Sequence, residues 1–264
     1  MVNIASNICF FVCLNLDFPE KRLEFVINDS GVRMIITDTQ HFKLAKKLAC
    51  YSRYSHVVII NLDSLSLKAI PKNIDIPISS DDDAFIVYTS GTTGKPKGIV
   101  YAHKTVLACI QGASNHLQFR RFDTLAYFYH PSFIGGVTNI FNALFFGASL
   151  LILSNTESDL KQLICKHNVT VLACVPSVFR NFISLLGKNE RIDSIRIINI
   201  TGEDLVRQDF ELFKKHFSSS CLFVNRIAYS EFPAAAVYAM NKKNKIMRRE
   251  NSHWKTIKNC QSEN

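Results

Sequence analysis

Short apolar runs alternate with amphipathic segments along almost the whole chain. Runs rich in Val, Ile, Leu and Phe are typical of buried strands, whereas apolar residues three or four apart are typical of helices. The predicted strands are Arg33–Thr37, Val57–Ile60, Ala84–Thr89, Gly98–Ala102, Thr124–Phe128, Ser149–Leu153, Val171–Val175, Ile195–Ile200 and Cys221–Val224. The predicted helices are Glu20–Asp29, Gln40–Ser52, Lys104–Leu117, Val137–Phe146, Asp159–His167, Pro176–Leu186 and Leu205–His216. This alternation predicts an α/β fold with layered, largely parallel sheets and flanking helices.

Residues that begin and end helices stand where this pattern needs them. Ser158 precedes the helix that begins at Asp159 and is typical of an N-cap. Gly147 follows Phe146, where a helix commonly ends in a left-handed residue. Pro176 suits the first turn of its own helix.

The segment Ile70–Asp83, with the sequence IPKNIDIPISSDDD, is polar, contains proline and lacks helical periodicity. It predicts a connector between a partial first α/β subdomain at 1–75 and a larger α/β core at 76–240. Apolar periodicity stops after Met240. Residues 241–264 are therefore predicted to be a disordered basic tail.

The net charge of +9 raises the question of nucleic-acid binding. Residues 241–264 contain seven Lys or Arg and two Glu, so they contribute 7 − 2 = +5 and leave +4 for the other residues. The charge is thus concentrated in the tail, and no recognition motif accompanies it. A module that binds nucleic acid through this tail is the least supported function, and no specific nucleic-acid partner is predicted.

The chain contains eight cysteines with no CxxC pair, which predicts free thiols in a reducing compartment rather than zinc ligands or a disulfide framework. No apolar run reaches the ~20 residues that a membrane-spanning helix needs. The apolar start, Ile4–Leu16, contains two asparagines and lacks a basic segment typical of a signal peptide. These features predict a cytoplasmic protein without a membrane span.

The clearest chemical motif lies between two predicted strands, where Ala84–Thr89 is followed by SGTTGKPKG and then by a second apolar run. Gly91, Gly94 and Gly98 allow close approach of the backbone to a ligand and positive φ angles. Successive N–H groups, three hydroxyls and two lysines are donors that suit a polyphosphate. The loop is not a Walker A motif, because Pro96 stands where a Ser or Thr would hold magnesium. On composition alone, an exposed hairpin turn without a ligand is an equally good interpretation.

The sequence YTSGTTGKPKG (Tyr88–Gly98) resembles the phosphate-loop signature of the adenylate-forming (AMP-binding) superfamily, which includes acyl-CoA synthetases, luciferases and adenylation domains of nonribosomal peptide synthetases. Four further stretches resemble the superfamily in the same order, and the peptide-synthetase branch is the nearest. They are Phe18–Asp38, His130–Leu153, Thr201–Leu205 (TGEDL, similar to GGExL) and Asn225–Glu231 (NRIAYSE, similar to NxYGxTE). The resemblance implies a partial N-terminal large domain of such an enzyme, with residues 76–240 as its nucleotide-binding core.

The resemblance implies ATP-dependent activation of a carboxylic acid, with Mg²⁺ as the metal and a carrier-protein or CoA thiol as the acceptor. Lys95 and Glu231 would be catalytic, and Glu231 would also bind the metal. The implied phosphate-binding residues are Thr89, Ser90, Gly91, Thr92, Thr93, Gly94, Lys95 and Ser230. The implied adenine-binding residues are Gly202, Glu203 and Asn225, and the implied acyl-pocket residues are His130, Phe133 and Ile134.

Simpler interpretations stay open for several of these residues. Glu203 suits a charge at a helix N-terminus, and Asn225 suits a turn. Glu231 suits a solvated loop, and His130 is equally well explained as a packed side chain.

Some positions depart from the superfamily pattern. Ile227 replaces an aromatic residue that would stack on adenine, a contact worth about 1–3 kcal/mol. Ala228 and Thr201 replace glycines and would be strained if those positions need positive φ. Ile134 replaces the aspartate that pairs with an α-ammonium group, which predicts a substrate other than an α-amino acid.

The largest departure is that the ribose-binding aspartate and the C-terminal catalytic lysine of the superfamily have no counterpart in the sequence. We therefore expect an incomplete adenylation domain whose activity alone is weak or absent. The alternative is a non-catalytic remnant that binds ATP.

Overall fold

The computed structural model describes residues 9–66, 76–90, 95–153, 159–229, 232–242 and 246–249. Its strands are β1 Phe11–Val12, β2 Met34–Thr37, β3 Val58–Asn61, β4 Asp83–Ser90, β5 Pro96–Ala102, β6 Thr124–Tyr127, β7 Ser149–Ile152, β8 Val171–Cys174, β9 Ile197–Thr201, β10 Leu222–Tyr229, β11 Phe232–Met240 and β12 Ile246–Arg249. Its helices are α1 Glu20–Ser30, α2 Phe42–Ala49, α3 His103–Leu117, α4 Ile134–Phe146, α5 Leu160–Lys166, α6 Pro176–Ser184 and α7 Arg207–His216, with a short 3-10 helix at Leu62–Ser64.

The chain forms two compact units, of which the first contains residues 1–106 and 131–133 and the second contains 107–130 and 134–264. The predicted boundary near residue 75 differs from this division. The reason is that β1, near the start of the chain, pairs in parallel with β4. That pairing ties the β4–β5 hairpin to the first unit.

The first unit contains two small sheets. Strands β2 and β3 pair in parallel, and their apolar residues pack with α1 and α2. The buried residues of this core are Leu23, Ile27, Ile35, Ala45 and Leu48. The other sheet has the order β1-β4-β5, and the ring of Phe85 on β4 stacks on the rings of Phe11 and Tyr101.

The second unit is built on a seven-stranded sheet in the order β12-β11-β10-β9-β8-β6-β7. Strands β6 to β10 are parallel, whereas β11 and β12 are antiparallel to their neighbours. One face packs against α5, α6 and α7, and the other packs against α4 and the end of α3. The predicted α/β fold with largely parallel sheets and flanking helices is confirmed.

A buried carboxylate joins three parallel strands at their amino ends. Asp123 is 3% exposed and accepts hydrogen bonds from Thr170 Oγ1 at 2.7 Å, from Arg196 Nε at 2.8 Å and from the Arg120 amide at 2.6 Å. Thr170 directly precedes β8, and Arg196 directly precedes β9. The ion pair therefore fixes the strand starts, at the opposite end of the strands from Gly202.

The caps agree in part with the prediction. Gly147 has φ of 64°, and Pro176 occupies the first turn of α6, as predicted. Ser158 lies outside the described residues, and Asp159 at the N-cap of α5 makes no side-chain capping bond.

The largest differences from the prediction lie after Val224, where the predicted strand ends and a turn stayed open for Asn225. Strand β10 continues to Tyr229 and pairs with β11, which the sequence did not predict because polar Asn225 and Arg226 interrupt the apolar run. Ile246–Arg249 forms β12 against β11, so the predicted disorder is wrong for these four residues. Residues 250–264 lie outside the described part of the chain.

Within the described residues, no helix has the length and apolar composition needed to cross a bilayer.

Candidate active site

The predicted phosphate loop lies at the end of the antiparallel hairpin formed by β4 and β5. The hairpin register pairs Thr89 with Lys97 and Ser90 with Pro96, and this last pair closes the described ladder. The side chains of Ser90 and Lys95 are exposed, and that of Thr89 is half-buried. The two predicted strands that flank the loop are thus present and paired, with hydroxyl and ammonium donors where the described ladder ends. The predicted phosphate ligands Gly91, Thr92, Thr93 and Gly94 lie outside the described residues.

Tyr88 anchors the hairpin to α1. Its hydroxyl donates a hydrogen bond to Asp29 Oδ2 at 2.7 Å, and its ring meets the Phe25 ring edge-on at 6.4 Å between centroids. Arg22 Nη2 also donates to the Tyr88 carbonyl at 3.4 Å. Burial, and next the hydrogen bond to Asp29, raise the pKa of Tyr88 above its ordinary value, so the phenol stays a donor at physiological pH.

Gly98 is needed for a reason that differs from the predicted one. Among the described glycines, positive φ occurs at Gly31, Gly147 and Gly202, so Gly98 is not one of them. A Cβ atom at Gly98 would instead lie 3.1 Å from Cζ of the Tyr88 ring on the paired strand. The glycine therefore allows the anchoring tyrosine to lie flat across the hairpin.

We expect Gly98→Ala to lower the free energy of unfolding by about 1–3 kcal/mol, because the new methyl group overpacks a fixed ring. Urea unfolding measures the change. Gly112→Ala in α3 is the control, since a Cβ there meets no atom within 4 Å and alanine favours the helix. A Gly98 variant as stable as the wild type would contradict the packing argument.

Gly202 directly follows β9 in the second unit. Its φ is 96°, and a Cβ there would lie 3.3 Å from Val175 Cγ1, so the position requires glycine. The strain considered for Thr201 does not occur, because Thr201 is the last residue of β9 and is not among the described non-glycine residues with positive φ, Gln118 and Asn168. Ala228 lies in β10, at the irregularity of its ladder with β11.

Glu203 is held at the N-terminus of α6. Its Oε2 accepts from the Ser177 amide at 2.9 Å, and its Oε1 accepts from Ser177 Oγ at 2.8 Å. The interpretation of Glu203 as a helix N-terminal charge therefore describes a real contact, although with α6 rather than with the following helix α7. The predicted contact of Glu203 with adenine stays a prediction.

The other described residues that were predicted for the second unit lie on β10, in the segment after β6 and at the start of α4. Asn225 is half-buried in β10, between Ile200 on β9 and Tyr238 on β11, so the turn considered for Asn225 is wrong. His130 is half-buried after β6, and Ile134 is the first residue of α4. The predicted phosphate ligand Ser230 and metal ligand Glu231 lie outside the described residues.

Phe133 belongs to the first unit, although its sequence neighbours His130 and Ile134 belong to the second. Its exposed ring meets the Phe18 ring edge-on, with 6.1 Å between centroids. Its predicted role in the acyl pocket stays a prediction.

The sequence analysis missed a set of buried polar residues in the second unit, which we call the buried polar cluster. Each member has a side-chain polar atom that is buried: Tyr129, Asn139, Asn142, Asn199, Thr201 and Arg226. The sequence did contain a signal, because an amide stands in the apolar strand IINIT and a guanidinium stands in LFVNRIAY. Polar side chains in such apolar strands are uncommon, and they mark the positions that the sequence analysis overlooked.

The sequence matches the family described as AMP-binding enzyme over residues 4–256. Because the match spans almost the whole chain, the chain belongs to this family, and the predicted resemblance is confirmed.

Several curated relatives are synthases by name. The chain is 28% identical over 224 residues to zwittermicin A synthase ZmaJ of Bacillus cereus, covering 81% of the chain and 42% of the relative. It is 26% identical over 209 residues to gramicidin S synthase 2 of Brevibacillus brevis, covering 78% and 4% respectively. The chain therefore spans less than half the length of these relatives.

Solved structures share the fold. The inhibitor-bound N-terminal domain of FACL13 from Mycobacterium tuberculosis superposes with a TM-score of 0.74 at 19% identity, covering 88% of this chain and 59% of that one. The o-succinylbenzoate CoA synthetase (MenE) from Bacillus subtilis, in complex with the acyl-adenylate intermediate OSB-AMP, gives a TM-score of 0.71 at 22% identity and covers 88% and 58%. At these identities the likeness supports the fold alone.

Proposed function

We propose that the protein activates a carboxylic acid with ATP, forming an acyl adenylate and releasing pyrophosphate. The observation that carries the proposal is the β4–β5 hairpin, anchored by Tyr88, with Ser90 and Lys95 exposed at its end. Membership of the AMP-binding enzyme family supports the same chemistry.

The donor set of the hairpin fits the polyphosphate of ATP. Ser and Thr hydroxyls and a lysine ammonium offer hydrogen bonds and positive charge to phosphate oxygens, and both are stronger where water is excluded. In this proposal Thr89–Gly94, Lys95 and Ser230 bind the phosphates, and Lys95 stabilises charge on the departing pyrophosphate. Glu231 would hold Mg²⁺, since carboxylate oxygens suit this hard cation.

The adenine would bind in the second unit, at the carboxyl ends of β9 and β10. Gly202 presents backbone without a side chain, and Asn225 offers an amide for hydrogen bonding to a base edge. Glu203 shapes this site by holding the first turn of α6 through Ser177. Ile227 gives an aliphatic contact in place of ring stacking.

The proposed substrate is a carboxylic acid without an α-ammonium group. Ile134 opens α4 with an aliphatic side chain, which leaves no counter-charge at this position for a zwitterion. His130 and Phe133 complete the proposed acyl pocket. The proposed acceptor is a thiol of CoA or of a carrier protein, and the proposed location is the cytoplasm, where the thiols of the seven described free cysteines stay reduced.

Exchange of labelled pyrophosphate into ATP tests this proposal. We expect exchange that depends on an added carboxylic acid, with fatty and aromatic acids preferred to common α-amino acids. Lys95→Ala should lower the rate about 10²–10³-fold, as expected for loss of one transition-state contact. The exposed residue Lys43 on α2 provides the control variant Lys43→Ala.

If the folded protein exchanges pyrophosphate into ATP only at the background rate, whether or not a carboxylic acid is added, the proposed activity is contradicted. Preferential exchange with a common α-amino acid would contradict only the assigned substrate class.

A further inference from the structure

The loop between β9 and α7 begins with Gly202 and Glu203, two residues of the proposed adenine site. Gly202, Glu203 and Asp204 are all exposed, so burial of apolar surface does not hold them in place. Leu205, the next residue, packs against the apolar core of the second unit. The conformation of the exposed part of the loop therefore depends on its polar contacts.

Helix α6 supplies these polar contacts from one side. Ser177 and Arg180 lie three residues apart on α6, so their side chains are neighbours on the surface of the helix. The amide and the hydroxyl of Ser177 donate to the two carboxylate oxygens of Glu203. Arg180 Nη2 donates to the Asp204 carbonyl at 3.2 Å. Two consecutive residues of the loop are thus tied to α6, directly after Gly202.

Arg180 is itself held by Asp209 in the first turn of α7. Its Nε and Nη2 atoms donate to Oδ1 and Oδ2 of Asp209, each at 2.7 Å, and such paired bonds are strong and directional. Asp209 Oδ2 also accepts from the Val206 amide at 3.0 Å. The guanidinium therefore connects α6, the loop and the start of α7.

The two partners of this ion pair differ in burial. The side chain of Asp209 is 1% exposed, whereas that of Arg180 is 40% exposed. The buried carboxylate is the fixed partner, because it is enclosed and also bonded to the backbone of α7's first turn. Since Arg180 Nη2 makes both the bond to Asp209 and the bond to Asp204, the position of the carboxylate determines where the loop backbone lies.

We propose that Arg180 is a positioning residue for nucleotide binding, which holds residues 202–204 in the conformation that binds adenine. This inference rests on the proposed function, which assigns adenine to this loop. Gly202 has φ of 96°, and a glycine in an exposed loop has many other conformations open to it. A loop that is ordered before the nucleotide arrives avoids the ordering cost that binding would otherwise meet.

Isothermal titration of the full chain with Mg·ATP and with Mg·tripolyphosphate tests the inference. Tripolyphosphate offers the phosphates without the base, so it makes no use of the adenine loop. Arg180→Met removes the charge and the donors but keeps an unbranched side chain. We expect it to weaken Mg·ATP binding about tenfold and to leave Mg·tripolyphosphate binding unchanged, because the loop must then be ordered on binding. Arg191→Met, at an arginine that is 48% exposed and pairs with Asp193, should bind both ligands as the wild type does.

Two further variants keep the test decisive. If Arg180→Met does not fold, because Asp209 is then buried without its counter-charge, the double variant Arg180→Met/Asp209→Asn takes its place, since it leaves neither charge. Ser177→Ala keeps the ion pair and removes the hydroxyl bond to Glu203. It should weaken Mg·ATP about three- to tenfold, the usual effect of one hydrogen bond, and spare Mg·tripolyphosphate.

A folded Arg180 variant that binds Mg·ATP as tightly as the wild type would overturn the inference, because the ion pair would then only stabilise the fold. Equal weakening of both ligands would also overturn it, since the damage would not be confined to the loop. Unchanged Mg·ATP affinity in Ser177→Ala would contradict the role of the contacts with α6. The predicted effects without acid-dependent pyrophosphate exchange keep this inference and contradict the proposed activity, whereas exchange with an unaffected Arg180 variant does the reverse. A wild type that does not bind Mg·ATP contradicts both.

Discussion

Replacing Asp123 by asparagine is expected to lower the free energy of unfolding by about 3–5 kcal/mol, because it removes the charge of one partner of a buried ion pair and leaves the other uncompensated. Asp123 is 3% exposed, and both of its oxygens accept hydrogen bonds from Arg196. An amide cannot accept both bonds, since one of its ends is a donor. The loss falls on the starts of β6, β8 and β9, and β9 ends at the proposed adenine site.

Chemical unfolding in urea measures this effect. Asp193→Asn is the matched control, because Asp193 forms an exposed pair with Arg191 at 3.3 Å, and exposed pairs contribute about 0–1 kcal/mol. Equal losses in the two variants would contradict the assigned role of Asp123.

The same ion pair predicts a pH dependence. Burial acts to raise the pKa of Asp123, but hydrogen bonds from Arg196, Thr170 and the Arg120 amide outweigh it, so the pKa is lowered in the folded state. A lowered pKa contributes stability that is present above the unfolded-state value of about 3.9 and is lost as pH falls through the folded-state value. The deficit of Asp123→Asn should therefore be full at neutral pH and should shrink below about pH 4. A deficit that stays constant into acid would contradict the charge-based explanation.

Replacing Phe213 by alanine is expected to lower the free energy of unfolding by about 3–5 kcal/mol, the usual cost of removing a buried aromatic ring. Phe213 is fully buried on α7, with its ring centroid 5.0 Å from that of Phe223 and 6.1 Å from that of Phe217. These rings join α7 to β10, so a cavity there loosens the strand that carries Asn225.

Thermal and urea unfolding measure this loss, and Phe122→Ala is the control. Phe122 is 88% exposed, so removing the same ring there should change stability by less than about 0.5 kcal/mol. A small effect at Phe213 would mean that the aromatic core collapses around the cavity, contrary to a rigidly packed interior.

Local patterns of the sequence were enough to predict the parallel core. Strands such as β8, with the sequence VLAC, are buried on both faces, and their apolar runs are continuous. Signals at helix ends such as Gly147 and Pro176 are equally local. The phosphate-loop motif was recognisable because its donors and glycines are contiguous in the chain.

Features that depend on distant residues could not be predicted in this way. The need for glycine at position 98 comes from the ring of Tyr88 on the paired strand. The position of the Glu203 carboxylate comes from its hydrogen bond with Ser177, which lies 26 residues away. A turn stayed open for Asn225 because polar Asn225 and Arg226 interrupt the apolar run, whereas the structure keeps both residues in β10 with Arg226 buried. Such positions are where local rules fail and where functional sites are expected.

A titration of the purified protein with Mg·ATP, followed by thermal unfolding, tests the central claim that the β4–β5 hairpin builds an ATP site. The account predicts a saturable stabilisation of about 2.7 kcal/mol at a ligand concentration one hundred times the Kd. This stabilisation should be largely lost in Lys95→Ala and kept in Lys43→Ala. A folded wild-type protein that Mg·ATP does not stabilise, or equal stabilisation of the wild type and Lys95→Ala, would contradict the account.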